Sequence, residues 1–284
     1  MSTPDTVVRL DAHVHLWEVG SGQYSWLTPE HGILFNTFTA EQAGQTLADA
    51  GIDQAILVQA DDTAADTEMM LSAAAAHNWI VGVVGWVPLE DPAATATLLE
   101  RWGHHDALCG VRALIHNDPR PHFLALESVR ESLGLVAQAG LSFDVPDAFP
   151  RYLDQVVDLA QALPGLRVVV DHLGKPPRGG RDEEFERWQG QLAAVSALPN
   201  TTAKLSGLHA DGAEYSAQAL ERVWDSALST FGPERLMFGG DWPVSLLGGS
   251  YRETVEIAES LMSLLSPTEA RSMWAGTAQR VYDR

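Results

Sequence analysis

Eight short apolar segments recur along the chain, and stretches with helical periodicity separate them. Residues 55–58 and 168–170 are continuously apolar, as expected of parallel strands that are buried on both faces. This alternation predicts eight strands, each followed by a helix. The predicted strands cover residues 7–13, 54–60, 80–87, 108–115, 141–145, 166–173, 201–205 and 235–240.

Helix boundaries are marked by recognisable local signals. Thr39 with Gln42 has the spacing of a capping box, and Ser266 with Glu269 repeats it. Gly51 stands where a glycine typically ends a helix. These signals support the alternating pattern, and further helices are predicted over residues 93–102, 125–139 and 181–198.

Eight strand-then-helix units in 284 residues predict an α/β protein with a (β/α)8 TIM barrel, a fold that typically needs about 250 residues. A doubly wound open sheet is the alternative, but it usually has a glycine-rich turn after its first strand. Here residues 13–17 read HVHLW. No linker or low-complexity tract divides the chain, so we expect a single domain over residues 1–284.

The net charge of the chain argues against two classes of binding partner. The chain has 38 acidic against 18 basic residues, a formal net charge of −20. This balance predicts no binding to nucleic acid and disfavours an anionic membrane surface. We find no signal-peptide pattern and no apolar run long enough to span a membrane, and the single cysteine, Cys109, excludes an internal disulfide. We therefore expect a cytoplasmic protein.

Histidines and one aspartate mark the carboxyl ends of three predicted strands, where TIM barrels place their active sites. His13 and His15 face the same way if their strand is regular, His172 follows strand six, and Asp241 follows strand eight, which closes onto strand one. Such a group can bind a divalent metal, or polarise a carbonyl while the carboxylate deprotonates water.

Several segments resemble the amidohydrolase superfamily, more narrowly its branch of sugar-lactone and pyrone-dicarboxylate lactonases, the fuconolactonase-like proteins. The resemblance runs from about residue 10 to residue 282, and VDHLGKP with GGDWP is its most specific combination. The segments are DAHVHLW (11–17), VGWV (84–87), GVR (110–112), VDHLGKP (170–176), KLSG (204–207) and RLMFGGDWPV (235–244).

This resemblance implies hydrolysis of a cyclic ester. Asp241 matches the aspartate that activates water, and His13, His15 and His172 match the histidines around the substrate carbonyl or a single metal. Strand four offers Arg112 in place of the usual lysine or glutamate ligand, and strand five has no histidine. The usual binuclear site is therefore missing. Whether one divalent metal, zinc, binds weakly to the three histidines and Asp241 or is not required stays open.

Further substrate contacts are expected from strand ends and loops. For Lys204 an ion pair inside the barrel is the competing interpretation, and Asp171 is expected to point away from His172, to the opposite face. The long loop of residues 16–37 is the predicted lid. The expected substrate-binding residues are Arg112, Trp17, Trp26, Gln59, Lys204, His116, His209 and Trp242.

We therefore interpret the protein as a hydrolase that opens a small lactone, and a sugar-acid (aldono) lactone is the expected substrate. Asp241 is expected to activate the water, and the histidines are expected to stabilise the oxyanion. A pyrone-dicarboxylate lactonase, a metal-dependent amidohydrolase or decarboxylase, and a non-catalytic ligand-binding barrel are the alternatives. The sequence leaves open whether the chain forms a homo-oligomer.

Overall fold

The computed structural model of the chain describes residues 8–21, 23–210 and 212–283. Residue 7, where the first strand was predicted to begin, lies outside these ranges, as do the first residues, on which the signal-peptide prediction rests. The eight strands are β1 Leu10–Val14, β2 Gln54–Val58, β3 Ile80–Gly85, β4 Leu108–Arg112, β5 Ser142–Val145, β6 Arg167–Val170, β7 Thr201–Leu205 and β8 Leu236–Phe238.

All eight strands belong to one parallel sheet, and each strand pairs with its neighbour in the chain. Two backbone hydrogen bonds join the end of β8 to β1: Asp241 donates to the carbonyl of His13 at 2.8 Å, and His15 donates to that of Trp242 at 2.7 Å. The sequential strand order and this closure confirm the predicted (β/α)8 barrel and exclude the doubly wound alternative.

Helices lie between the strands as predicted. Both predicted capping boxes are present, at Thr39 with Gln42 and at Ser266 with Glu269. In each box the two side chains accept hydrogen bonds from backbone N–H groups that have no partner within the helix. The helices are α1 Ala40–Asp49, α2 Ala64–Ala76, α3 Pro92–Trp102, α4 Glu127–Gln138, α5 Leu153–Ala162, α6 Asp182–Ser196, α7 Ala217–Phe231, α8 Tyr251–Leu261, α9 Pro267–Arg271 and α10 Thr277–Tyr282.

Several strands end earlier than their apolar runs. β6 stops at Val170, because His172 and Leu173 take left-handed φ angles of 56° and 52° in the turn Asp171–Gly174. β8 stops at Phe238, and three residues later Asp241 takes a left-handed φ angle of 53°. His172 and Asp241 are therefore loop residues at the mouth of the barrel, where their side chains do not follow the alternation of the sheet.

The barrel interior changes from apolar to polar towards this mouth. Ile56, Val84 and Met237 pack with Tyr282 of α10 in a buried apolar cluster. The Tyr282 hydroxyl donates to the Asp144 carboxylate at 2.6 Å, so α10 reaches the first polar layer of the interior. Within the described residues, no helix has both the length and the apolar character needed to cross a membrane.

Candidate active site

The closure of the barrel brings His13, His15 and Asp241 together. Asp241 Oδ1 lies 3.5 Å from His15 Nε2 and 3.8 Å from His13 Nε2. The two Nε2 atoms are 3.1 Å apart. Asp11 stabilises this junction between β1 and the segment after β8. Its carboxylate accepts hydrogen bonds from the backbone N–H groups of His13 and Gly240 at 2.8 and 2.7 Å. The predicted convergence of these residues is therefore present.

His172 reaches the same point from the left-handed turn after β6. Its Nδ1 contacts Ser206 Oγ at 2.8 Å, and its ring centroid lies 4.7 Å from that of His13. Gly207, at φ 53°, makes room for this arrangement. A Cβ atom at this position would lie 2.4 Å from His172 Nδ1 and 2.7 Å from Asp241 Oδ2, so only a glycine fits.

The three histidines and the aspartate are buried, and the surroundings of His13, His172 and Asp241 shift the pKa values of these three groups. Burial lowers the pKa of His13 to about 3 against the attraction of Asp171, and it lowers the pKa of His172 to about 3 against that of Asp241. Burial by itself raises the pKa of Asp241, but the facing imidazoles hold it well below its usual range. At neutral pH the site therefore combines two neutral imidazoles with an ionised carboxylate.

The hydrogen positions at His13 and His15 determine whether a cation fits. His15 Nδ1 faces the Val58 carbonyl at 2.8 Å, so it carries the proton and Nε2 presents a lone pair. His13 Nδ1 faces both Asp171 Oδ1 at 3.3 Å, which accepts, and Lys204 Nζ at 3.2 Å, which donates. Either tautomer of His13 is therefore accommodated.

Each tautomer gives the site a different capacity. With its proton on Nδ1, His13 presents a second lone pair beside His15 and Asp241, which suits a divalent cation. With its proton on Nε2, His13 donates to His15 and no cation is needed. Among the described residues, His13, His172 and Asp241 form a group whose ligand atoms all lie within 4.8 Å of one another, so their donor set fits one metal ion.

A buried ionic layer lies beneath the site. Lys204 Nζ is 2.7 Å from Asp144 and 3.0 Å from Asp171, and Arg112 Nε is 2.9 Å from Asp171. Burial alone would raise the pKa of Asp171, but Lys204, His13 and Arg112 hold it well below its usual range. Asp171 was predicted to point away from the site. That prediction was wrong, because its side chain lies in the barrel and contacts His13.

A cavity of about 430 Å³ opens above the site, and its two sides differ in character. One side is largely aromatic and apolar, with Trp17 and Trp26 packed edge to face at 5.4 Å between ring centroids. The other side is polar, and His15, His172 and Asp241 form the floor. The polar wall consists of Arg112, His116, Asp147 and Lys175, and His31 stands beside Trp26.

The cavity contains four of the eight predicted substrate-binding residues, Arg112, His116, Trp17 and Trp26. The other four lie outside its wall. Gln59 is fully buried and bonds Asp62 and the Arg112 carbonyl, while Lys204 belongs to the ionic layer. Trp242 packs against Phe38 at 5.2 Å.

His209 is the fourth residue outside the cavity. It lies between Gly248 and Tyr215 and does not line the wall. Asp147 and Lys175 were missed as wall residues. A signal for both existed, since each follows a strand end by a few residues, and Lys175 is part of the VDHLGKP segment.

Residues 16–21 and 23–37 of the predicted lid pack onto the barrel mouth. Tyr24 donates from its hydroxyl to Asp66 at 2.6 Å, and Trp26 Nε1 donates to the Ala60 carbonyl at 2.8 Å. Through Trp17, Trp26 and His31 this loop supplies the aromatic side of the cavity. Its movement as a lid stays a prediction.

Comparisons with known proteins assign the chain to a family. An L-fucono-1,5-lactonase of Burkholderia multivorans is 31% identical, over 97% of this chain and 96% of its own. An amidohydrolase from Burkholderia multivorans, solved with bound HEPES, superposes with a TM-score of 0.89 at 30% identity, over 97% of this chain and 99% of its own. A structure described likewise, with bound zinc, gives a TM-score of 0.87 at 29% identity over the same shares. The Amidohydrolase family model matches residues 10–284, and the chain therefore belongs to the amidohydrolase family.

Proposed function

We propose that the protein is a hydrolase that opens the ring ester of a small lactone, and that the lactone is that of a sugar acid. The observation that carries this proposal is the ionised Asp241 on the floor of a cavity with one aromatic and one polar side. An aromatic face packs against the C–H face of a sugar ring, and a polar wall binds its hydroxyls. The L-fucono-1,5-lactonase relative supports the same substrate class.

Asp241 takes the role of general base. Its carboxylate accepts a proton from water while the water oxygen bonds to the ring carbonyl carbon. The ester C–O bond of the ring then breaks, and the proton returns from Asp241 to the leaving ring oxygen. Water is thus added across one bond, and no other reactant is consumed.

The His172 imidazole takes the negative charge that develops on the carbonyl oxygen, because its Nδ1 can accept from Ser206 Oγ and leave an N–H on Nε2, whereas the His15 proton faces the Val58 carbonyl. A neutral imidazole carries one N–H, and a preorganised donor in a dry site stabilises an oxyanion by several kcal/mol, about 3–4 for one donor. Arg112, which lines the same cavity and is fixed by Asp171 and by the Gln59 carbonyl at 2.9 Å, orients the substrate. A lactone is an activated ester, so this help suffices for its hydrolysis.

One divalent metal fits the same residues, and we propose His13, His172 and Asp241, with His15 beside them, as its ligands. A bound cation there supplies Lewis-acid polarisation of the ring carbonyl. The zinc-bound relative supports zinc as the metal. Because the Nε2 tautomer of His13 withholds a lone pair from the cation, we expect such a metal to be weakly held or dispensable.

The cavity fits a dicarboxylate less well. Two carboxylates call for several convergent cations that are free to bind them. Among the described cavity-lining residues, Arg112 is paired with Asp171, and Asp147, 4.0 Å from Lys175, would repel a carboxylate that approached that lysine. A pyrone-dicarboxylate lactonase is therefore the second candidate.

The test is a pH-indicator assay of ring opening over aldonolactones, pyrone dicarboxylate and simple lactones, with and without a chelator. We expect turnover of aldonolactones. We also expect Asp241→Asn to lower kcat/KM by about 100-fold or more, while Asp106→Asn, an exposed control with the same charge change, has no effect.

Three results would change the assignment. Full turnover by Asp241→Asn would remove Asp241 from its role. Complete loss of activity on chelation, recovered with zinc, would favour a metal-dependent enzyme. No acid released from any substrate would favour the non-catalytic ligand-binding barrel.

A further inference from the structure

Asp147 and Lys175 face each other on the polar wall of the cavity. Both side chains are 35% exposed, and the Lys175 ammonium lies 4.0 Å from Asp147 Oδ1. Lys175 is also held by the Gly207 carbonyl at 3.0 Å, beside the glycine that packs on His172 and Asp241. The pair therefore stands next to the residues that act on the carbonyl.

The backbone holds this pair in place. Asp147 and Lys175 have left-handed φ angles of 41° and 62°. The loop that carries Asp147 is joined to the turn before Lys175 by a hydrogen bond from Phe149 N to the Gly174 carbonyl at 2.7 Å. Backbone strain of this kind persists where the surrounding structure fixes it, and it concentrates at binding sites. The two side chains are thus presented to the cavity by a rigid frame.

Their chemistry matches a pair of neighbouring hydroxyls. At 4.0 Å the two groups form an ion pair but no hydrogen bond, so the carboxylate can still accept and the ammonium can still donate. One hydroxyl of a vicinal diol donates to Asp147, and the next accepts from Lys175. A substrate carboxylate at the same place would meet the negative charge of Asp147.

We propose that Asp147 and Lys175 form a diol-binding subsite that selects uncharged polyhydroxylated rings over rings bearing a carboxylate. This inference rests on the proposed function for the identity of the ring, and it names the specificity-determining residues. Asp147 is the discriminating member, because it binds hydroxyls and repels anions, whereas Lys175 attracts both.

Equilibrium binding tests the subsite separately from catalysis. The probes are a 1,5-anhydroalditol, a cyclic ether with the ring hydroxyls but no ester, and its counterpart with a carboxylate in place of one of the vicinal ring hydroxyls. We expect calorimetry to show that the wild-type protein binds the neutral ether about tenfold more tightly or better. In Asp147→Asn that preference falls to within about threefold, while Asp106→Asn keeps the wild-type preference.

Asp147→Ser serves as a second variant if the asparagine variant does not fold, and thermal unfolding identifies that case. The inference is overturned if the wild-type protein binds both ethers equally or binds neither, or if the Asp147 variants retain the wild-type preference. Selective ether binding without hydrolysis of any lactone would support the subsite and refute only the proposed function.

Discussion

Gly207→Ala probes how closely the site is packed. The added methyl would start 2.4 Å from His172 Nδ1 and 2.7 Å from Asp241 Oδ2, whereas ordinary van der Waals contacts begin at 3.4 Å. The His172 ring must therefore withdraw by about 1 Å, the kind of misplacement that can cost about 100-fold in rate. A side chain at φ 53° adds strain of about 1–2 kcal/mol.

The assay is kcat/KM on the best lactone substrate, together with the free energy of unfolding in urea. We expect a loss of about 100-fold in kcat/KM and a loss of stability of a few kcal/mol at most. Gly190→Ala is the matched control, because its Cβ meets nothing within 4 Å and lies in α6, where alanine stabilises by about 1 kcal/mol. Near wild-type activity in Gly207→Ala would refute the close packing of His172 and Asp241.

Two further predictions concern the buried charges. Lys204→Met leaves Asp144 and Asp171 without their shared cation, so we expect the free energy of unfolding in urea to fall by about 3–5 kcal/mol. The control is Lys175→Met, at a half-exposed lysine, for which we expect a loss of less than about 1 kcal/mol. Equal small losses in the two variants would contradict the ionic layer. His13 and His172 have pKa values lowered from 6.5 to about 3, so the unfolded chain binds protons that the folded chain does not. The contribution of these two histidines to the free energy of unfolding should therefore be complete above pH 6.5 and be lost as the pH drops towards 3, by up to about 1.4 kcal/mol per pH unit for each group. Urea titrations at several pH values, with chelator present, test this. A stability that does not change with pH would contradict it.

The fold was predictable because eight apolar runs long enough for strands alternate with stretches of helical periodicity, several of which carry clear boundary signals. The site was predictable in part for the same reason. Once a barrel is assumed, the ends of β1, β6 and β8 must meet at one mouth, which brings together His13, His15, His172 and Asp241. Neither step needs side-chain detail.

Side-chain direction was not predictable. Asp171 was assigned to the far face because His172 was assigned to the site. Alternation along β6 instead places Asp171 on the inner face with Val169, and the left-handed turn at His172 brings that ring back to the barrel mouth. Gln59 and Lys204 were assigned to the cavity because they stand near strand ends. Their partners, Asp62 and Asp144, draw them into buried contacts that only three-dimensional packing shows.

The Tyr282 hydroxyl that reaches Asp144 has a consequence for biosynthesis. Residue 10 begins the first strand, yet the interior beneath the imidazoles is incomplete until residue 282 has been translated. Without α10, the Asp144 carboxylate lacks the hydroxyl donor that Tyr282 supplies. We therefore expect the polar layer around Asp144 to be completed only in a late step of folding, when α10 docks.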